Sequence, residues 1–259
     1  MVEASKPPDV IVFDMDGVLV EVMDSYREAI RETVRHFTGE LVSHDLIQDF
    51  KSAGGWNNDW LLSHRLIRER GKKVEYADVV EYFNQVFLGE HGNGLIRHER
   101  WMPATGMLER LAQRASLAIF TGRAKYEADV TLGRYAGGVA FNPLITDESV
   151  ANPKPAPDGL YLIMREYPNK NLWYLGDTVD DARSAQAAGV PFIGVSTPHN
   201  PRHSEIAETL REFGAFAVLN DVNQLEILVS RAQSEARNAP IRAQSEATGF
   251  VNERSGNRA

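Results

Sequence analysis

The stretch DVIVFDMDGVL, Asp9–Leu19, sets the reading of the whole chain. Val10–Phe13 is uninterrupted apolar sequence rich in β-branched residues, the pattern of a strand buried on both faces. It ends in two carboxylates two residues apart, Asp14 and Asp16, followed by Gly17, which lets the backbone turn sharply. Carboxylates at the end of a buried strand are costly unless something pairs with them. A divalent cation, or a phosphate-bearing substrate with its metal, would do so. A plain strand end closed by an Asx-type turn is the alternative for these residues taken alone.

Further short apolar runs follow at Leu117–Thr121, Phe141–Thr146, Leu172–Asp177, Pro191–Thr197 and Phe216–Asn220. Between them, Pro155–Tyr167 carries Leu160, Ile163 and Met164 on one stripe, and Thr178–Ala188 stops at Gly189, so both read as helices. Strand and helix in alternation predict an α/β fold: a Rossmann-like parallel sheet with right-handed crossovers, covered on both faces. The alternation breaks once. Between the first and second runs lie about a hundred residues without a convincing strand. There Asp24–Phe37, His44–Phe50, Asn57–Arg70 and Tyr76–Leu88 show helical spacing, punctuated by glycines. This predicts an inserted α-helical domain over residues 21–103, with a core domain made of 1–20 and 104–232. The junctions are Val20–Asp24 and the hinge-like His91–Pro103. Residues 233–259 are polar, repeat RAQSEA at Arg231–Ala236 and Arg242–Ala247, and read as a helix followed by a flexible end.

Three more constellations sit where strands end. Thr121-Gly122-Arg123 offers a hydroxyl and a backbone N–H at a helix start, a phosphate cradle or an ordinary N-cap. Lys154, in Asn152-Pro153-Lys154-Pro155, has its backbone direction fixed by neighbouring prolines, which suits a charge aimed into a site. Gly176-Asp177-Thr178-Val179-Asp180-Asp181 crowds three carboxylates on one strand-to-helix turn. Thr178 and Asp180 are easily explained as caps, whereas Asp177 is not. An oxygen-rich cluster without His or Cys suits Mg²⁺ rather than zinc or copper. All four segments fall at the carboxyl ends of parallel strands, the edge where open α/β sheets bind ligands.

Composition narrows the function. The chain has 259 residues, 43% of them hydrophobic, and a formal net charge of −8. No basic cluster stands out, which argues against nucleic acid as a partner. No stretch is long and apolar enough to span a membrane, and the first nine residues hold no apolar signal core, so a cytoplasmic monomer or homodimer is expected. With no cysteine, thiolate metal sites and cysteine nucleophiles are excluded.

In these four segments (DMDGV, the Thr121 of FTG, the Lys154 of PKP, and GDTVDD) the sequence resembles the haloacid dehalogenase-like (HAD) hydrolase superfamily over roughly residues 9 to 230. The helical insertion is similar to the C1 cap of subfamily I, in the phosphatase branch of subfamily IA. The resemblance implies Asp14 as nucleophile, Asp16 as general acid and base, and Thr121 and Lys154 as holders of the phosphoryl group. It implies a Mg²⁺ site at Asp14, the Asp16 backbone carbonyl and Asp177, with Asp181 orienting Lys154 or a metal-bound water. Asp180 is an equally placed alternative to Asp181. Family dehalogenases and phosphonatases lack a carboxylic acid two residues after the nucleophile, so Asp16 points to a small phosphate monoester as substrate. A phosphomutase needs the same four motifs. A non-catalytic phospho-ligand-binding module, or one half of a larger biosynthetic fusion enzyme, are further alternatives. Gly122 and Arg123 are expected near the phosphate or substrate, unless Arg123 merely caps a partner carboxylate. In the cap, Lys51–Trp60 is the expected specificity loop, where Trp56 would stack on a ring and Asn57 bond to it, unless Trp56 is cap core and Asn57 an N-cap. Sugar phosphates, phosphoglycolate and amino-alcohol phosphates such as histidinol phosphate all stay open.

Overall fold

The computed structural model describes residues 6–200 and 202–252, with side chains up to residue 238. The elements run β1 (Val10–Phe13), β2 (Val20–Glu21), α1 (Tyr26–Thr38), α2 (His44–Ala53), α3 (Asp59–Glu69), α4 (Tyr76–Leu88), β3 (Arg100–Trp101), α5 (Met107–Ala112), β4 (Ser116–Phe120), α6 (Lys125–Tyr135), β5 (Leu144–Ile145), α7 (Asp158–Glu166), β6 (Leu172–Gly176), α8 (Val179–Ala188), β7 (Phe192–Val195), α9 (His203–Glu212), β8 (Ala217–Leu219) and α10 (Leu225–Asn252).

Six strands form one parallel sheet in the order β5-β4-β1-β6-β7-β8. Every residue of β1 is fully buried. Side chains alternate across a strand, so Ile11 and Phe13 enter one apolar cluster and Val10 and Val12 the other. β6 repeats the division, with Trp173 and Leu175 on the first face and Leu172 and Tyr174 on the second. Helices α7, α8 and α9 contribute Leu160, Ala185 and Leu210 to the second cluster. The first cluster runs on into α1, α3 and α4 through Ile30, Leu62 and Phe83. Each such side chain contributes roughly 1.5–3 kcal/mol on burial, and this shared cluster ties the helical insertion to the sheet.

The insertion leaves and returns through β2 and β3, which pair antiparallel, Val20 opposite Trp101 and Glu21 opposite Arg100. The expectation of no strand between the first and second runs is corrected by this two-residue ribbon, too short to carry an apolar pattern. Phe141–Thr146, expected as a full strand, pairs only over Leu144–Ile145. Side-chain caps set the starts of α2 and α3: the Ser43 side chain accepts from the Leu46 N–H at 3.1 Å, and that of Asn58 from the Leu61 N–H at 2.9 Å. Beyond residue 233 the backbone continues α10 to Asn252. The second RAQSEA copy, at Arg242–Ala247, has its side chains outside the described residues, as does the whole of 253–259.

Candidate active site

Chain direction reverses about β1: the chain fills positions to one side with β4 and β5, then crosses to β6, β7 and β8 on the other. Loops at such a switch point diverge and leave a crevice at the carboxyl edge. Register places the candidate residues there. Phe13 is level with Ile119 and with Leu175, so Asp14, Thr121 and Asp177 leave three adjacent strands within about a residue of one another.

Lys154 bridges two of the carboxylates. Its Nζ donates to Asp14 Oδ1 at 2.8 Å and to Asp181 Oδ1 at 2.6 Å, and it lies over the rings of Phe120 and Tyr174 at 4.8 and 5.4 Å. Burial disfavours its charge, but the two carboxylates outweigh that and raise its pKa. Asp181 is held from three sides: the Tyr174 hydroxyl donates to Oδ1 at 2.5 Å, the Thr178 hydroxyl to Oδ2 at 2.6 Å, and Lys154 completes the set. Burial alone would raise Asp181, yet Lys154 and these hydroxyls keep it below the usual carboxylate range. The same Thr178 accepts from the Asp181 N–H, a reciprocal cap that fixes the start of α8. Of the last two aspartates, Asp181 faces Lys154, while Asp180 accepts the Gly55 N–H at 2.8 and 2.9 Å, fastening the α2–α3 loop to α8.

Asp14 is pushed up to about 7 by burial, against the pull of Lys154 and with the push of Asp181 and Asp16. Asp177 is raised well above the ordinary carboxylate range by burial and by Asp181 and Asp14. Carboxylate oxygens of Asp14, Asp177 and Asp181 lie within 4.8 Å of one another. Two buried acids and a half-buried third gather beside one lysine, and an all-oxygen donor set of this kind fits a hard divalent cation such as Mg²⁺. Gly17 belongs to the same arrangement. Its φ is +72°, and a Cβ there would come within 2.0 Å of Asp177 Oδ2.

A cavity opens between sheet edge and insertion, lined among others by Asp14, Asp16, Gly122, Arg123, Asn57 and Trp60. Arg123, expected near the phosphate, is already engaged. Its Nε and Nη2 both donate to Asp16 Oδ1, at 2.7 and 2.5 Å, and Nη2 pairs with Glu99 Oε1 at 2.7 Å. It thus holds the Asp16 carboxylate instead of standing free for a substrate. Gly122 is closely approached, a Cβ there meeting Asn57 Nδ2 at 2.2 Å. Asn57 faces the cavity because Asn58, not Asn57, caps α3. Trp56 is absent from this lining and turns edge-on to Phe50 at 5.2 Å. The tryptophan presented to the cavity is Trp60, held by Asn84 at 3.0 Å. Thr121 is buried and accepts the Arg123 N–H at 3.2 Å.

Sequence reading missed Arg27, Glu99 and Glu127, which sit on elements whose pattern reports only helix or linker. The Tyr26 hydroxyl donates to Glu127 Oε2 at 2.7 Å, and Arg123 lies over the Tyr26 ring at 4.9 Å. No local signal could have found these pairs, because their partners are about a hundred residues apart.

A parallel α/β sheet with a carboxylate-and-lysine cluster at its switch point defines a class of hydrolase. The chain belongs to the haloacid dehalogenase-like hydrolases, whose family model matches residues 8–189. It is 33% identical over 232 residues to an imidazoleglycerol-phosphate dehydratase of Phytophthora nicotianae, covering 83% of this chain and 51% of that protein, so the chain spans about half the length of that relative. It is 24% identical over 228 residues to a phosphoglycolate phosphatase of Mesorhizobium japonicum, covering 84% of this chain and 93% of that one. Among solved structures, CbbY from Rhodobacter sphaeroides in complex with phosphate shares the fold, with a TM-score of 0.65 at 23% identity, covering 84% of this chain and 96% of that one. Among the described residues, no helix is long and apolar enough to cross a membrane.

Proposed function

We propose that the chain is a Mg²⁺-dependent phosphatase that hydrolyses a small phosphorylated metabolite through an aspartyl phosphate. The observation that carries this is the Lys154 bridge from Asp14 to Asp181 with Asp177 beside it. Asp14 attacks phosphorus, and the bond from phosphorus to the leaving oxygen breaks. Asp16, on the wall of the same cavity, gives its proton to that oxygen as the alcohol departs. Asp16 then takes a proton from water, which attacks phosphorus and releases Asp14 and inorganic phosphate. Lys154 and Thr121 offset the charge gathering on the phosphoryl oxygens, and Asp181 keeps Lys154 aimed at them. Asp14, Asp177 and the Asp16 carbonyl, with Asp181 alongside, would hold Mg²⁺, which would supply further neutralisation of those oxygens. The helices of residues 21–103 act as the cap that closes over the substrate, with 1–20 and 104–232 as the core.

Asp14→Asn is expected to abolish turnover of p-nitrophenyl phosphate with the circular dichroism spectrum unchanged, and EDTA to silence the enzyme until Mg²⁺ is restored. Full activity in the Asp14→Asn protein would sink this reading.

A second reading, that this module is one half of a biosynthetic fusion enzyme, is favoured by the Phytophthora relative, which is about twice as long as the region it shares with this chain. A metabolite panel that includes phosphoglycolate and imidazole-bearing phosphate esters ranks the substrates for either reading.

A further inference from the structure

Arg27 lies in the first turn of α1, on the insertion, and is nine-tenths buried. Its Nη1 is wholly buried and has no hydrogen-bond partner. A buried guanidinium nitrogen without an acceptor costs free energy that water or a counterion would otherwise supply. The other cations of the site are engaged. Lys154 is held by Asp14 and Asp181, Arg123 by Asp16 and Glu99, and Lys51 pairs with Asp59 Oδ1 at 2.5 Å.

The position of Arg27 says what kind of anion it awaits. It lines the cavity that holds Asp14, and also a neighbouring cavity that Asp177 borders and Asp14 does not. The phosphoryl group belongs beside Asp14 and Lys154, on the sheet side. Arg27 approaches from the insertion, where the alcohol portion of the ester would extend. We propose that Arg27 determines specificity by pairing with a carboxylate carried on the leaving group, so that the preferred substrates are phosphate esters of small hydroxy acids. This rests on the phosphatase reading and narrows its substrate class. The pair would form out of contact with bulk water, where a guanidinium–carboxylate hydrogen bond is strongest.

The test compares matched esters with Mg²⁺ present: 2-phosphoglycolate against 2-hydroxyethyl phosphate, and 3-phosphoglycerate against glycerol 3-phosphate. Wild type is expected to favour the acid of at least one pair in kcat/KM. In Arg27→Gln that acid-to-neutral ratio should fall by roughly ten- to a hundredfold, the size of one charge-assisted hydrogen bond. Arg27→Lys, which keeps the charge and loses the fork, should fall between the two. Melting curves for each variant report folding. The inference is overturned if p-nitrophenyl phosphate is hydrolysed but wild type shows no preference for either acid, or if Arg27→Gln leaves the ratio unchanged because both members of a pair fall together. Hydrolysis of none of these compounds, p-nitrophenyl phosphate included, would remove the phosphatase reading itself.

Discussion

Asp177 owes its position to a residue that has no side chain. Gly17 adopts a φ of +72°, where a Cβ is strained, and its missing Cβ leaves the space that Asp177 Oδ2 fills. Gly17→Ala therefore meets two penalties: about 1 kcal/mol of backbone strain, and displacement of a carboxylate from the cluster. We expect kcat/KM to fall by about a hundredfold or more, equivalent to about 3 kcal/mol of transition-state stabilisation, and the Mg²⁺ concentration for half-activation to rise. A Mg²⁺ titration of the variant checks both, and a curve superimposable on that of wild type would show that Asp177 needs no fixed place. At this scale the sequence is most legible where a residue's chemistry is at odds with its local pattern. Asp14, Asp16 and Asp177 stand just past the ends of apolar strands, and Lys154 stands among prolines. Arg27 and Glu99 follow the ordinary polarity of a helix or a linker, so their burial is written only in the tertiary fold.

Elements were readable in proportion to their length. Helices α1, α3 and α4 carry enough turns for an apolar stripe, and β1, β4 and β6 are uninterrupted runs. The ribbon of β2 and β3 is two residues wide and held by cross-strand contacts such as Arg100 with Glu21 at 2.6 Å. Nor does periodicity reveal how the insertion is fastened at the opposite end. There Asp180, buried at the start of α8, accepts the Gly55 N–H with both oxygens, and Arg202 pairs with Asp49. The Arg202 pair is exposed and contributes about 1 kcal/mol at most. The Asp180 contact is part-buried and charge-assisted, worth about 1.5 kcal/mol. Asp180→Ala should thus loosen the α2–α3 loop, lowering kcat/KM by about tenfold and speeding proteolysis within residues 54–57. If neither the rate nor the cleavage changes, the loop is held by something other than this carboxylate.

For the whole molecule, the alternation of runs and helices anticipated the parallel sheet, because burial on both faces of a sheet constrains every residue of a strand. It could not anticipate that sheet and insertion share an apolar cluster and a buried polar network, since both depend on partners distant in sequence. That network makes stability depend on pH. Burial lifts Glu127 to about 7, although the Tyr26 hydroxyl, Arg123 and the Ala124 N–H all favour its charged form. In the unfolded chain the same carboxyl titrates at about 4.3. Between those values the native state binds the extra proton, so the group's contribution to stability falls as pH rises through this window and then stays low above it. Glu127→Gln keeps an oxygen to accept from Tyr26 and Ala124 but cannot ionise. The variant should therefore gain on wild type by up to about 3 kcal/mol between pH 5 and pH 8. Urea unfolding of both proteins at the two pH values isolates this group, because every other titration cancels in the difference. A gap between them that is the same at pH 5 and pH 8 would mean that Glu127 is already ionised, and that Arg123 and Tyr26 compensate for its burial in full.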